Sequence, residues 1–162
     1  HGDAFGEHHL DGVDLIDHQL QLYEELLHVP LVLSWPGHVK PGVSDALVSQ
    51  GDLLASLASL TGQKLAAGDG PDSVDVLPAL LGADPAGRDQ LVEQAGTLSL
   101  IRGRWKLIAD RTFSRVRLYD LERERFEVTD RSAEEPAVVR ALLDKLRARQ
   151  AEVERDPLRP QR

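Results

Sequence analysis

Cysteine is absent from the 162 residues of the chain. That excludes disulfides, thiolate zinc sites, iron–sulfur clusters and cysteine nucleophiles within it. It leaves the compartment open, because secreted proteins can also lack cysteine. No apolar run approaches the roughly 18 residues of a membrane-spanning helix, and no basic-then-apolar signal segment is visible. Localisation is therefore left unassigned between cytoplasmic and exported. Lysine and arginine are missing from the first 39 residues; the first base is Lys40. A net charge of −8 without a basic stripe predicts no nucleic-acid partner. Three self-contained chemistries are missing as well: a Gly-rich phosphate loop with its lysine, His-Glu-x-x-His, and Gly-x-Ser-x-Gly. The chain opens on His1 rather than methionine, and a fragment of a longer protein is the expectation.

What is present is the balance of an ordinary globular domain, 41% hydrophobic and 28% charged, enough for one domain with or without a small appendage. The charge is uneven. Residues 1–39 hold seven carboxylates (Asp3, Glu7, Asp11, Asp14, Asp17, Glu24, Glu25) and all six histidines. The remaining residues, with 20 acids and 19 bases, are nearly neutral. Carboxylates and imidazoles without a competing cation suit a divalent metal. A solvated acidic loop has the same composition, and composition leaves both readings open.

Residues 1–17, with Gly2, Gly6 and Gly12 among polar residues, predict a loop. Leu20, Tyr23 and Leu27 follow a helical rhythm, and the Val29–Trp35 run predicts a buried strand. Ser49 and Asp52 form a capping-box pattern before a helix carrying Leu53, Leu54, Leu57 and Leu60 and ending at Gly62. Residues 63–75 and 82–96 read as connections, separated by an apolar patch from Val76 to Leu81. Leu98–Ile108 predicts a hairpin about Arg102-Gly103-Arg104, with a further strand at Val116–Leu121. Ser132 and Glu135 predict another capping box, followed by a helix with Pro136 in its first turn and Val139, Leu142, Leu143 and Leu146 on one face. The residues alone therefore predict an α/β unit with a His/Asp-rich start.

Five segments, in order, resemble the C-terminal half of sulfatases, in the alkaline-phosphatase-like superfamily. His1-Gly2-Asp3-Ala4-Phe5-Gly6-Glu7-His8 is similar to the family's Ser-Asp-His-Gly-(acid)-x-x-Gly-Glu-His stretch. His18-Gln19-Leu20-Gln21-Leu22-Tyr23-Glu24-Glu25 through His28-Val29-Pro30-Leu31 resembles His-Gly-x-x-Leu-Tyr-Glu-Glu-x-x-Arg-Val-Pro-Leu, and Trp35-Pro36-Gly37 with Pro41-Gly42 continues it. Val48-Ser49-Gln50-Gly51-Asp52-Leu53 matches Val-Ser-x-x-Asp-Leu. Arg104-Trp105-Lys106-Leu107-Ile108 and Leu118-Tyr119-Asp120-Leu121 match the terminal Trp-Lys-Leu-Ile and Leu-Tyr-Asp-Leu.

The resemblance implies roles. His1 would ligate a divalent ion (calcium first, magnesium or manganese as alternatives), with its partner aspartate upstream of this chain. The ion would act as a Lewis acid on a sulfate oxygen. His18 would be a catalytic proton donor or cation near the leaving oxygen, a task suited to imidazole. Gln19 occupies or neighbours the place of an anion-binding lysine and would bind substrate by a hydrogen bond without charge. His8 and His9 are expected to face solvent, His28 to be structural, His38 to be exposed, and Asp52 to cap a helix rather than bind metal. Tyr23, Trp35 and Trp105 are expected to pack, with polar tips.

The family's nucleophile is a formylglycine made from Cys-x-Pro-x-Arg or its serine counterpart, and it is not in this chain. Ser34-Trp35-Pro36-Gly37-His38 lacks the arginine and coincides with the Trp-Pro-Gly turn, so it is rejected as that nucleophile. The implied fold is the C-terminal part of an alkaline-phosphatase-like sulfatase. Residues 1–95 would complete the catalytic α/β domain, and 96–162 would form a small antiparallel sheet packed by a helix. The implied function is sulfate-ester hydrolysis by the parent on a small molecule or glycan. This chain alone would be inactive, with the missing N-terminal part as its partner. Two alternatives stay open: a phosphodiester or phosphonate hydrolase of the same superfamily, and a stand-alone, non-catalytic interaction module.

Overall fold

The computed structural model describes residues 1–10, 13–17 and 21–155. In chain order the elements are β1 (Ala4–Leu10), β2 (Val13–Asp17), α1 (Glu24–Leu27), a 3-10 turn (Gln50–Asp52), α2 (Leu53–Leu60), α3 (Leu77–Leu80), β3 (Gln90–Gln94), β4 (Leu98–Arg102), β5 (Trp105–Ala109), β6 (Val116–Asp120) and α4 (Pro136–Glu154). They fold as two compact units: His1–Pro30 joined with the chain from Val92 onward, and Leu31–Leu91.

The first unit is built on a four-stranded sheet in the order β3-β4-β5-β6, in which β5 pairs antiparallel with both β4 and β6. The strand period of two divides its side chains between two faces. Leu98, Leu100, Leu107, Ala109 and Leu118 lie on one face, in one core cluster with Leu142 and Leu146 of α4. Each of the leucines stabilises the fold by roughly 1.5–3 kcal/mol when fully buried. The alternate residues Ile108 and Tyr119 cluster instead with Tyr23 from the segment before α1. Both faces of the sheet are thus covered, which is why β4 and β5 read as nearly continuous apolar runs. The predicted hairpin, third strand and closing helix are all present. The predicted capping box before α4 is not: the helix starts at Pro136 with Glu135 as its N-cap, and no side chain caps it. Ser132 lies too far upstream, and its N–H is held by Asp130 at 2.9 Å.

Residues 1–17 are not the predicted loop. β1 and β2 pair antiparallel, Ala4 opposite Asp17 and Leu10 opposite Val13, with an irregularity between Phe5 and His9. Gly6 sits inside that bulge at φ +96°, a conformation open to glycine. The glycine read as a loop marker is a bulge residue. α1 is shorter than the predicted helix and begins only at Glu24. β3 replaces part of a predicted connection.

The second unit is organised by Asp52. Its carboxylate accepts the N–H of Ser49 at 2.9 Å and of Val74 at 3.0 Å, and Nε of Arg88 at 2.7 Å. The capping box with Ser49 is formed, in agreement with Asp52 as a cap. Burial pushes the Asp52 carboxyl up, but Arg88 and the two amides outweigh it and hold it below the usual range. Ser56 is fully buried on α2 and accepts the N–H of Val76 at 3.0 Å. The predicted Val29–Trp35 strand does not form. Leu31, Val32 and Leu33 are 54%, 87% and 46% exposed. A strand needs a ladder partner for its backbone groups, and among the described residues none pairs with this run.

Candidate functional site

The His1 segment is fixed by its neighbour. The Gly2 N–H donates to Leu26 O at 2.9 Å, and a Cβ on Gly2 would stand 2.0 Å from Glu25 O. Only glycine permits so close an approach of two backbones. This docks the start of β1 on α1 and leaves the His1 side chain exposed, with Nδ1 3.1 Å from Gly2 O. His18 and Gln19 lie between β2 and α1, outside the described residues. Of these three, His1 alone is among the described residues.

What it does bring together is a buried charged cluster that sequence reading missed. Tyr23 precedes α1 with its ring buried, and its hydroxyl accepts from Arg117 at 2.9 Å. The next residue, Glu24, reaches Lys106 Nζ at 2.7 Å through Oε1 and His28 Nδ1 at 3.0 Å through Oε2. Lys106 is fully buried and also meets Glu127 Oε1 at 2.8 Å. Glu127 Oε2 accepts the backbone N–H of Glu24 at 2.7 Å. Glu127 holds φ +52°, rare for a non-glycine residue and a local strain that the surrounding contacts offset.

Burial works against the Lys106 charge, but Glu127 and Glu24 outweigh it and raise its pKa. Glu127 is pushed up to about 7, chiefly by burial, with Lys106 pulling the other way. Glu93, bonded to Ser99 Oγ at 3.1 Å, is raised for the same reason. The signal in the sequence was Lys106 itself, a lysine on a strand between Trp105 and Leu107 that both faces of the sheet bury.

His8 corrects an expectation. It is buried, not solvent-facing: its ring stacks on Tyr23 with centroids 3.8 Å apart, and Nε2 lies 2.8 Å from Glu25 Oε1. The same expectation for His9 falls on a side chain outside those described. His28 is half-exposed and tied to Glu24, as a structural residue would be. His38 is exposed in its turn, against Trp35 at 3.9 Å.

The sulfatase family model matches residues 1–63. The chain is 34% identical over 140 residues to the N-acetylgalactosamine-6-O-sulfatase of Bacteroides thetaiotaomicron, covering 76% of this chain and 27% of that protein. It is 35% identical over 95 residues to human arylsulfatase A, covering 52% of this chain and 18% of that one. A solved structure described by the metabolism of multiple glycosaminoglycans in Bacteroides thetaiotaomicron superposes with a TM-score of 0.65 at 34% identity, over 72% of this chain and 28% of that chain. A second structure from that organism, 22% identical, shares the fold with a TM-score of 0.68 over 89% of this chain and 36% of that chain. The chain thus spans about a quarter of the length of that N-acetylgalactosamine-6-O-sulfatase. From the His1-Gly2 segment docked on α1 to the sheet that buries Lys106, the chain belongs to the sulfatase family and corresponds to its C-terminal portion.

Proposed function

We propose that this chain serves a sulfuric ester hydrolase, contributing the C-terminal part of an active site whose nucleophile lies elsewhere. The observation that carries the reading is the 34% identity sustained over 140 residues with an N-acetylgalactosamine-6-O-sulfatase. The substrate class that follows is a sulfate ester of a small molecule or glycan. Its other partner is the N-terminal part of the enzyme, and the exposed Leu31, Val32 and Leu33 support a missing apolar neighbour.

Sulfatases use a divalent metal. In this chain the exposed imidazole of His1 can donate one ligand and cannot hold an ion by itself. Calcium is our first choice, with magnesium or manganese behind it. Such an ion, when bound, would polarise a sulfate oxygen. His18 would donate a proton to the departing alcohol oxygen. Gln19 would donate an amide hydrogen bond to a sulfate oxygen, giving orientation without the pull of a lysine. The chain has no cysteine, so a formylglycine made from one must come from elsewhere. Alone, the chain should be inactive.

The test is expression of the coding sequence extended upstream of His1, beside the chain alone, with sulfate release from an aryl sulfate as readout. Activity in the extended protein, lost in His18→Ala, supports the reading. Faster cleavage of a phosphodiester or phosphonate than of the sulfate ester by that protein overturns it. So does a native product limited to this chain, which would point to an interaction module.

A further inference from the structure

His8, Glu25 and Glu127 come from three separate elements or loops of the first unit, and each can place one donor atom within 4.8 Å of the other two. It is the one such group among the described residues. The side chains are withdrawn from water: His8 and Glu25 keep 10% and 9% of their exposure and Glu127 none. Yet His8 Nε2 and both Glu25 carboxylate oxygens make no well-formed hydrogen bond, and Glu127 Oε1 is met only by Lys106 Nζ, at 2.8 Å. The 2.8 Å contact of His8 with Glu25 is too poorly aligned to count as one. Buried polar atoms left this way are costly, and an unfilled ion or water is the usual remedy.

Charge gives a second, independent argument. Lys106 is matched by Glu24 at 2.7 Å. Glu127 draws on the same ammonium at 2.8 Å, so one lysine serves a cluster of three carboxylates, Glu24, Glu25 and Glu127, an excess that a divalent cation offsets. The donors are also pre-oriented. The His8 ring is held by its stack on Tyr23, and Glu127 is held through its other oxygen by the Glu24 N–H at 2.7 Å. Such supports are what tune a metal ligand.

We propose that His8, Glu25 and Glu127 form a buried zinc site that is structural and separate from His1. One imidazole and two carboxylates suit tetrahedral zinc with a water as fourth ligand. Calcium prefers six to eight oxygens and is disfavoured by the nitrogen. On binding, the His8–Glu25 contact opens and Glu127 Oε1 is shared between zinc and Lys106, one lone pair to each. The ion ties the β1 strand to α1 and to the loop after β6. Protons are the competing occupant, because burial already pushes Glu127 up to about 7.

The test is titration of the EDTA-treated, dialysed full chain with zinc chloride at pH 7.5, by calorimetry and metal analysis. The expected result is one zinc per chain. His1→Ala should keep it, while Glu25→Gln and His8→Gln should lose tenfold or more in affinity, about the scale on which even outer-shell partners act. Should those variants fail to fold, nitrogen-15 spectra of the wild-type imidazoles decide, with the His8 Nε2 resonance shifting on zinc addition. No stoichiometric zinc overturns the proposal, as does zinc that follows His1, or a coordinated histidine other than His8.

Discussion

Lys106 Nζ and Glu24 Oε1 meet at 2.7 Å in the interior, across 82 residues of chain. The pair joins two of the stretches that carry the family resemblance, Tyr23-Glu24-Glu25 and Trp105-Lys106-Leu107-Ile108. Both are held by one buried contact. Removing one partner strands charge away from water. Lys106→Met should destabilise the chain by about 3–5 kcal/mol in urea unfolding, and adding Glu24→Gln should restore part of that loss.

Gly2→Ala should cost about 1–3 kcal/mol, the scale of overpacking. The new Cβ would stand 2.0 Å from Glu25 O, so the Gly2–Leu26 hydrogen bond must open. Faster exchange of the Gly2 amide in the variant is the local readout.

Acid should loosen the second unit through Asp52. Its folded pKa lies below the ordinary value of about 3.9. The ionised form therefore stabilises the fold fully above that value, and the contribution is lost as pH falls through the lowered folded one. Asp52→Asn should cost about 3 kcal/mol near neutrality and flatten the acid limb of the stability profile. Stability followed from pH 7 down to pH 2 checks both.

The chain alone should bind a hydrophobic dye through Leu31, Val32 and Leu33. Val32→Glu should reduce that signal, because Val32 is 87% exposed and its loss disturbs no core. A protein extended upstream should bind less dye than the chain alone. Equal binding by both would count against an apolar partner segment.

The legible parts of the fold are local in origin. The β4–β5 hairpin declared itself by two apolar runs about Gly103, and α4 by Val139, Leu142, Leu143 and Leu146. Asp52 was readable as a cap because the box spans three residues. The misread parts depend on distant partners. Val29–Trp35 has a strand's composition, but a strand exists only where another pairs with it. β1 carries polar residues and a glycine bulge, so no alternation betrayed it. The Glu127 carboxylate reaches Lys106 from a stretch with no periodic pattern. For the candidate active site, His1, His18 and Gln19 came from resemblance alone. His8 and Glu25 sat inside the same motifs without their mutual contact being visible.

The Glu24–Glu127 contact spans 103 residues, and this sets an order on synthesis. At ribosomal rates the second half of that clasp emerges roughly 5–20 s after the first. For most of that interval Tyr23 has no sheet to rest on and Glu24 has no Lys106 to neutralise it. The segment from His1 to Glu25 is therefore without its Glu127 support until that residue arrives. A stop codon anywhere before Glu127 would leave the early motifs intact in sequence and unsupported in space.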